Sequence, residues 1–175
     1  IKKYVDVNIG ATALMLDLLA NSNHTIKKVV VASSRSIYGE GKYQNPNTGE
    51  VIYPSARLDE DMARGQFEVL CQKTKQPLYL LATDEKSKIH PSSVYGITKQ
   101  NQEQMVMTVC HSLGISGVAF RYQNVYGPGQ SLSNPYTGIL SIFSTRIKNH
   151  NPIQIFEDGL ESRDFVYIDD VVEAT

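Results

Sequence analysis

Cysteine is scarce in this chain: there are two in 175 residues, Cys71 and Cys110, and they lie far apart. They form no ligand-spaced pair, which excludes a disulfide framework and a thiol-built zinc site. An excess of one charge is missing too, with 17 basic against 18 acidic side chains and a net charge of −1. That balance argues against a nucleic-acid or polyanion surface. No apolar run approaches the roughly 20 residues that span a bilayer. The start, Ile1-Lys2-Lys3-Tyr4-Val5-Asp6, is charged but has no apolar core behind it, so no signal peptide is read. A soluble, cytoplasmic protein is the expectation. Also absent are a starting Met and any G-x-x-G-x-x-G or G-x-G-x-x-G run. The chain opens inside a helical pattern and closes on Asp169-Asp170-Val171-Val172, which reads as a capped helix just begun, with Asp170 as the cap. It is therefore expected to be the middle of a longer protein, still long enough to bury one core.

What is present starts with Tyr95 and Lys99, in the run Ser92-Ser93-Val94-Tyr95-Gly96-Ile97-Thr98-Lys99. If the run is helical, phenol and ammonium share one face, one turn apart. A nearby cation favours the ionised form of a phenol, whose reference pKa is about 10. A tyrosine so placed becomes a usable acid or base near neutral pH. Alone, such a pair is more common on a solvated helix face.

The elements around it alternate. Residues 2 to 21 read as a helix with Val7, Ala11, Leu14 and Leu18 as the apolar stripe. Val29 to Ala32 is a short apolar run of the kind that forms buried parallel strands. Residues 93 to 112 form a second helix, with Val94, Ile97, Met105 and Val109 inward, Gln100, Gln102 and Glu103 outward, and Gly114 as its left-handed cap. Ile115 to Tyr122 follows as a strand, 138 to 149 as a helix, and Pro152 to Phe156 and Phe165 to Ile168 as short strands. This order predicts an α/β doubly wound parallel sheet. Residues 42 to 88 break the rhythm with turn chemistry at Asn45-Pro46-Asn47-Thr48-Gly49 and a charged stretch, Arg57 to Gln66, read as a short helix or loop. The expected organisation is core over 1–41, insertion over 42–88, core over 89–125, and a substrate-binding region returning to the core over 126–175.

Three further stretches join the Tyr95–Lys99 pair. One is Val29-Val30-Val31-Ala32-Ser33-Ser34-Arg35-Ser36-Ile37-Tyr38-Gly39, a strand ending in hydroxyls. The others are Phe120-Arg121-Tyr122-Gln123-Asn124-Val125-Tyr126-Gly127-Pro128-Gly129 and Ser162-Arg163-Asp164-Phe165-Val166-Tyr167. In order and content they resemble the extended short-chain dehydrogenase/reductase family, specifically its nucleotide-sugar epimerases and dehydratases. The resemblance covers almost the whole chain and fails over 42 to 88.

It implies a Rossmann-like sheet whose glycine-rich βαβ unit and ribose-reading acid lie outside this sequence. It implies NAD as cofactor, a nucleotide-sugar substrate, and a homodimer paired through helices 2–21 and 93–112. It makes Ser34, Tyr95 and Lys99 catalytic, with Ser33 the alternative to Ser34 should the register slip by one. Asn8, Ser33, Tyr95, Lys99 and Tyr122 would face the cofactor. Asn124, Ser133, Asn134, Phe156 and Arg163 would meet the substrate, Arg163 by clamping its pyrophosphate unless it pairs with Asp164 instead. Some similar epimerases carry Cys-x-x-Cys knuckles in the insertion. The matching positions here are Asn45, Thr48, Cys71 and Thr74, and one thiol does not hold zinc, so a metal-free ribbon is expected.

Dehydratases of the family place an acid pair directly after the catalytic hydroxyl; Arg35 and Ser36 stand there instead. The expected activity is therefore a nucleotide-sugar 4-epimerase working through transient oxidation at the sugar C4. Gln130 to Gly138 and the long insertion resemble the dTDP-L-rhamnose 4-epimerase subfamily, which implies a dTDP-6-deoxyhexose, with UDP-glucose or UDP-N-acetylglucosamine still open. A dehydratase or reductase of the same family is the alternative, and a non-catalytic nucleotide-binding scaffold the third.

Overall fold

The computed structural model describes residues 1–132, 134 and 138–175. Two compact units are present, Ile1–Arg121 and Tyr122–Thr175. The structural division thus falls at Arg121, short of the sequence boundary at 125.

The first unit opens with a continuous helix in three parts: α1 (Lys2–Tyr4), a π-helical segment (Val5–Gly10) and α2 (Ala11–Asn21). Strand β1 (Lys28–Ala32) follows, then a 3₁₀ turn (Arg35–Tyr38). The insertion contributes β2 (Lys42–Gln44), β3 (Val51–Ile52), α3 (Asp59–Ala63) and β4 (Tyr79–Leu81). After it come α4 (Val94–Leu113) and β5 (Ser116–Phe120). β1 pairs with β5 in parallel, with Val30 opposite Val118. A parallel pair needs a crossover, and α4 is the helix that makes it. Ser93 caps α4 by accepting the Gly96 N–H at 3.0 Å, and Gly114, at φ 68°, closes it in the left-handed conformation. Leu16, Leu19, Val31, Val106 and Cys110 form the buried core, flanked by Val29, Met105, Val109, Ile115 and Ala119. Each large side chain so buried contributes about 1.5–3 kcal/mol.

The expected inward faces need correction. Val7, Leu14 and Leu18 are exposed, and Thr12, Leu16 and Leu19 are buried instead. The sequence of α2 is apolar nearly all round, so two stripes fit its period equally well, and the π segment shifts the phase of anything read across it. Val94 and Ile97 are also exposed, while Glu103, expected outward, is 8% exposed.

The insertion's strands form a three-stranded antiparallel sheet in the order β3–β2–β4. A separate small core of Val69, Cys71 and Leu78 packs with Tyr43 and Ile52. Two loops in it repeat one hydrogen-bond pattern. Asn45 N–H donates to Glu50 O at 2.9 Å and Gly49 N–H to Asn45 O at 2.9 Å; Cys71 N–H donates to Gln76 O at 2.8 Å and Lys75 N–H to Cys71 O at 2.8 Å. Asn45 Oδ1 accepts the Asn47 and Thr48 N–H groups, and Asn45 Nδ2 reaches Cys71 Sγ at 3.8 Å. Hydrogen bonds from Thr74 hold the Cys71 thiol below its ordinary pKa. The loops are closed by hydrogen bonds, and only one of the four matching side chains is a thiol. Chelation is therefore expected to leave the melting temperature unchanged, measured with and without excess EDTA; a drop of several degrees would reveal a bound metal holding the ribbon.

The second unit contains β6 (Asn124–Tyr126), α5 (Ile139–Lys148), β7 (Phe165–Tyr167) and α6 (Ile168–Ala174). β6 and β7 pair in parallel, Asn124 opposite Phe165. The strand expected over Pro152 to Phe156 is not formed: Ile153, Ile155 and Phe156 are 36%, 54% and 64% exposed, with no strand beside them among the described residues. Asp170 is not the cap of α6. Tyr167 occupies that position, and Asp169 and Asp170 stand in the first turn, where carboxylates suit the helix dipole. No described helix is long and apolar enough to cross a membrane.

Candidate active site

The first turns of α4 bring Tyr95 and Lys99 to one helix face, as their spacing requires. The Tyr95 ring meets the edge of Tyr4 at 5.5 Å between centroids and is 37% exposed. No described group hydrogen-bonds its hydroxyl. Lys99 is 9% exposed, and burial pushes its ammonium below the ordinary lysine range. Its Nζ donates to Gln102 Oε1 at 2.6 Å, and Gln102 Nε2 donates to Thr12 Oγ1 at 2.8 Å. Asn8, in the π segment, donates from Nδ2 to Thr98 Oγ1 at 3.0 Å. The π turn thereby fastens Asn8 to α4 beside Lys99; such segments recur at functional sites.

Ser34 stands where β1 has ended and the 3₁₀ turn begins. Its Oγ accepts the Ser36 N–H at 3.2 Å and the Ser36 hydroxyl at 2.9 Å, so it caps that turn. Gly96, next to Tyr95, lets this turn lie against α4: a Cβ there would stand 2.6 Å from Ser36 O and 3.0 Å from Pro91 Cβ. The Ser34 turn and the Tyr95 turn are thus held in backbone-to-backbone approach.

Ser33 has a different role from its neighbour. Its hydroxyl is buried and donates to Glu103 Oε2 at 2.6 Å. Glu103 also accepts Arg121 Nε at 3.2 Å on each oxygen and Arg121 Nη2 at 2.6 Å on Oε1. Arg121 Nη1 donates to Tyr38 OH at 2.6 Å and Glu85 O at 3.1 Å, and the guanidinium lies 5.3 Å from the Tyr38 ring centre. The Glu103 carboxylate raises the guanidinium pKa further above its already high range. This network ties β1, the 3₁₀ turn, α4 and the end of β5 together. Sequence reading missed it. The available signal was a glutamate at i+4 from Lys99 and an arginine directly after a buried strand.

The second unit carries the remaining candidates. Tyr122 OH lies 2.6 Å from Thr175 Oγ1. Asn124 pairs through its backbone N–H with Asp164 O at 3.0 Å, while its Nδ2 is buried without a hydrogen-bond partner. Arg163 pairs with Glu161 at 2.7 Å and donates to Ser162 O at 2.9 Å, not to Asp164. Phe156 is exposed and Asn134 half-buried; the expectation for Ser133 lies outside the described residues.

The residues present fit a dinucleotide. A buried ammonium has three donors, and Lys99 has one partner among the described residues, a neutral amide oxygen rather than a carboxylate. Two N–H donors remain for ribose hydroxyls.

Comparison with known proteins agrees with this chemistry. Residues 72–175 match the NAD dependent epimerase/dehydratase family. The chain is 36% identical over 168 residues to dTDP-L-rhamnose 4-epimerase of Burkholderia thailandensis, covering 96% of this chain and 45% of that protein. It is similar to the solved UDP-N-acetylglucosamine 4-epimerase of Methanobrevibacter ruminantium in complex with UDP-N-acetylmuramic acid: 28% identity, TM-score 0.67, 98% of this chain and 43% of the other. It is also similar to the UDP-glucose 4-epimerase of Thermus thermophilus in complex with NAD, at 25% identity and TM-score 0.62, over 97% of this chain and 44% of the other. The chain spans under half the length of the relatives it matches. The same likeness bears out the α/β doubly wound fold.

Proposed function

Because the chain belongs to the NAD dependent epimerase/dehydratase family, we propose that the protein is an NAD-dependent nucleotide-sugar 4-epimerase acting on a dTDP-6-deoxyhexose. The observation that carries this reading is the close approach at Gly96, which sets the Ser34 hydroxyl's turn against the helix bearing Tyr95 and Lys99. NAD, when bound, would supply the hydride acceptor and donor for inversion at the sugar C4. Tyr95 takes the proton of the C4 hydroxyl and later gives it back. Lys99 would hold the nicotinamide ribose through the N–H groups that Gln102 leaves free. Ser34 hydrogen-bonds the same sugar oxygen, keeping it in line with the phenol as the charge moves. Asn8 steadies the helix beside Lys99, and Tyr122 completes the cofactor's surroundings.

In the second unit Asn124 and Arg163 are the donors for the substrate's phosphates, with Arg163 exchanging Glu161 for pyrophosphate. Ser133, Asn134 and Phe156 complete the substrate contacts. The rhamnose-series substrate is supported by the Burkholderia relative and by the Gln130–Gly138 segment. We assign the protein to the cytoplasm as a homodimer, joined through the exposed apolar side chains Leu14, Leu18, Ile97 and Met107.

Dehydration is disfavoured by Ser36, which spends its hydroxyl and N–H on Ser34 and brings no carboxyl group to the sugar. The test is a product assay. NMR of dTDP-sugars incubated with the full-length protein should show interconversion of the C4 epimers, with no net reduced cofactor and no deuterium gained at C4 from D₂O. A released 4-keto sugar would select the dehydratase instead.

A further inference from the structure

We propose that Arg121 is a positioning residue that keeps the Glu103 carboxylate from pairing with Lys99, so that the ammonium stays available to ribose. The inference rests on the functional reading above and extends it to two residues with no role there.

Lys99 and Glu103 have the i, i+4 spacing that ordinarily gives a helix ion pair. Both are buried, at 9% and 8% exposure. Burial makes an available counter-charge more attractive, yet they do not pair among the described contacts. Lys99 Nζ binds the neutral Gln102 Oε1 at 2.6 Å. Both Glu103 oxygens are filled by Arg121 and the Ser33 hydroxyl. Three donors, the Ser33 hydroxyl and the Arg121 Nε and Nη2 groups, cover both oxygens, and the guanidinium charge already neutralises the carboxylate. Arg121 is itself held against the Tyr38 phenol and Glu85 O, and it is not free to release Glu103.

The titratable groups recorded around the pair are few. Tyr95 stands on α4, Tyr4 touches the Tyr95 ring, Tyr38 comes from the 3₁₀ turn and Arg121 follows β5. Thr12, Asn8 and Ser33 are neutral. Without Arg121, Glu103 is a buried carboxylate one helical turn from Lys99 with its charge no longer neutralised. Pairing would take up the N–H groups that Lys99 otherwise offers to ribose hydroxyls, and affinity for the cofactor would fall.

The experiment is a titration of the full-length protein with NAD, read as its dissociation constant. Arg121→Gln is expected to weaken NAD about tenfold, the scale of a hydrogen bond lost to a charged group. Arg121→Gln with Glu103→Gln should restore the wild-type affinity although the arginine is still missing. Arg121→Lys, which keeps a cation beside Glu103, should bind NAD as the wild type does. Glu103→Gln alone should do so too, and this arm carries the test if Arg121→Gln does not fold. The proposal is overturned if Arg121→Gln keeps the wild-type affinity, if the double variant stays weak, or if Glu103→Gln alone weakens NAD. Wild-type protein that turns over no nucleotide sugar would instead sink the functional reading, an outcome visible before any variant is made.

Discussion

Tyr95→Phe is expected to lower turnover by about 10²- to 10⁴-fold, the range for losing a positioned proton-transfer group. It should do so with almost no structural cost. The ring stays against Tyr4, and no described group hydrogen-bonds the hydroxyl that is lost. The stability change is therefore expected within about 0.5 kcal/mol, as for a surface substitution. Nucleotide-sugar binding should survive, because the phenol's contribution belongs to the reacting oxygen and not to the diphosphate. Single-turnover rates with a thermal-shift titration of the sugar nucleotide measure both halves at once. A Tyr95→Phe variant that interconverts epimers at the wild-type rate would remove Tyr95 from the chemistry. A wild-type protein that binds but never turns over would favour the scaffold reading.

Much of the frame was legible because local chemistry dictated it. The run Lys28–Ala32 is β-branched and ends at hydroxyls, and it forms a strand there. Ser93 and Gly114 bracket α4 as cap residues do, so its limits came within a residue or two. The errors have a common physical source. Glu103 reads as a surface glutamate until Arg121, just beyond the end of β5, arrives to neutralise it; nothing within one helix reveals that. The segment from Pro152 to Phe156 has strand composition, but a strand needs a neighbour, and composition does not supply one.

The candidate site divides in the same way. The Tyr95–Lys99 spacing is a property of one helix and could be read directly. The separate duties of Ser33 and Ser34 could not, because adjacent residues at a strand's end point opposite ways, and which one meets Glu103 depends on packing. Arg163 stands beside Asp164 in sequence yet pairs with Glu161, a choice between neighbouring carboxylates that no sequence pattern fixes.

Gly96→Ala is expected to damage both stability and turnover. Alanine ordinarily stabilises a helix interior over glycine by about 1 kcal/mol. Here the sign reverses. The new methyl would stand 2.6 Å from Ser36 O and 3.2 Å from Ser36 C, which are backbone atoms that no rotamer change can move aside. Relief requires the 3₁₀ turn to retreat from α4, at an overpacking cost of about 1–3 kcal/mol. That retreat carries Ser36 with it, and with Ser36 the hydrogen bonds that orient Ser34. A displacement near 1 Å between a hydroxyl and its reacting oxygen costs about 10² in rate. Gly114→Ala is the control: its φ is 68° and its Cβ would enter open space, so it should cost about 1 kcal/mol of stability and no activity. Thermal melts and kcat for the two variants separate strain from misplacement. Equal activity at matched stability would mean that the Ser34 turn does not need its contact with the Tyr95 helix, and the proposed chemistry would lose its geometric basis.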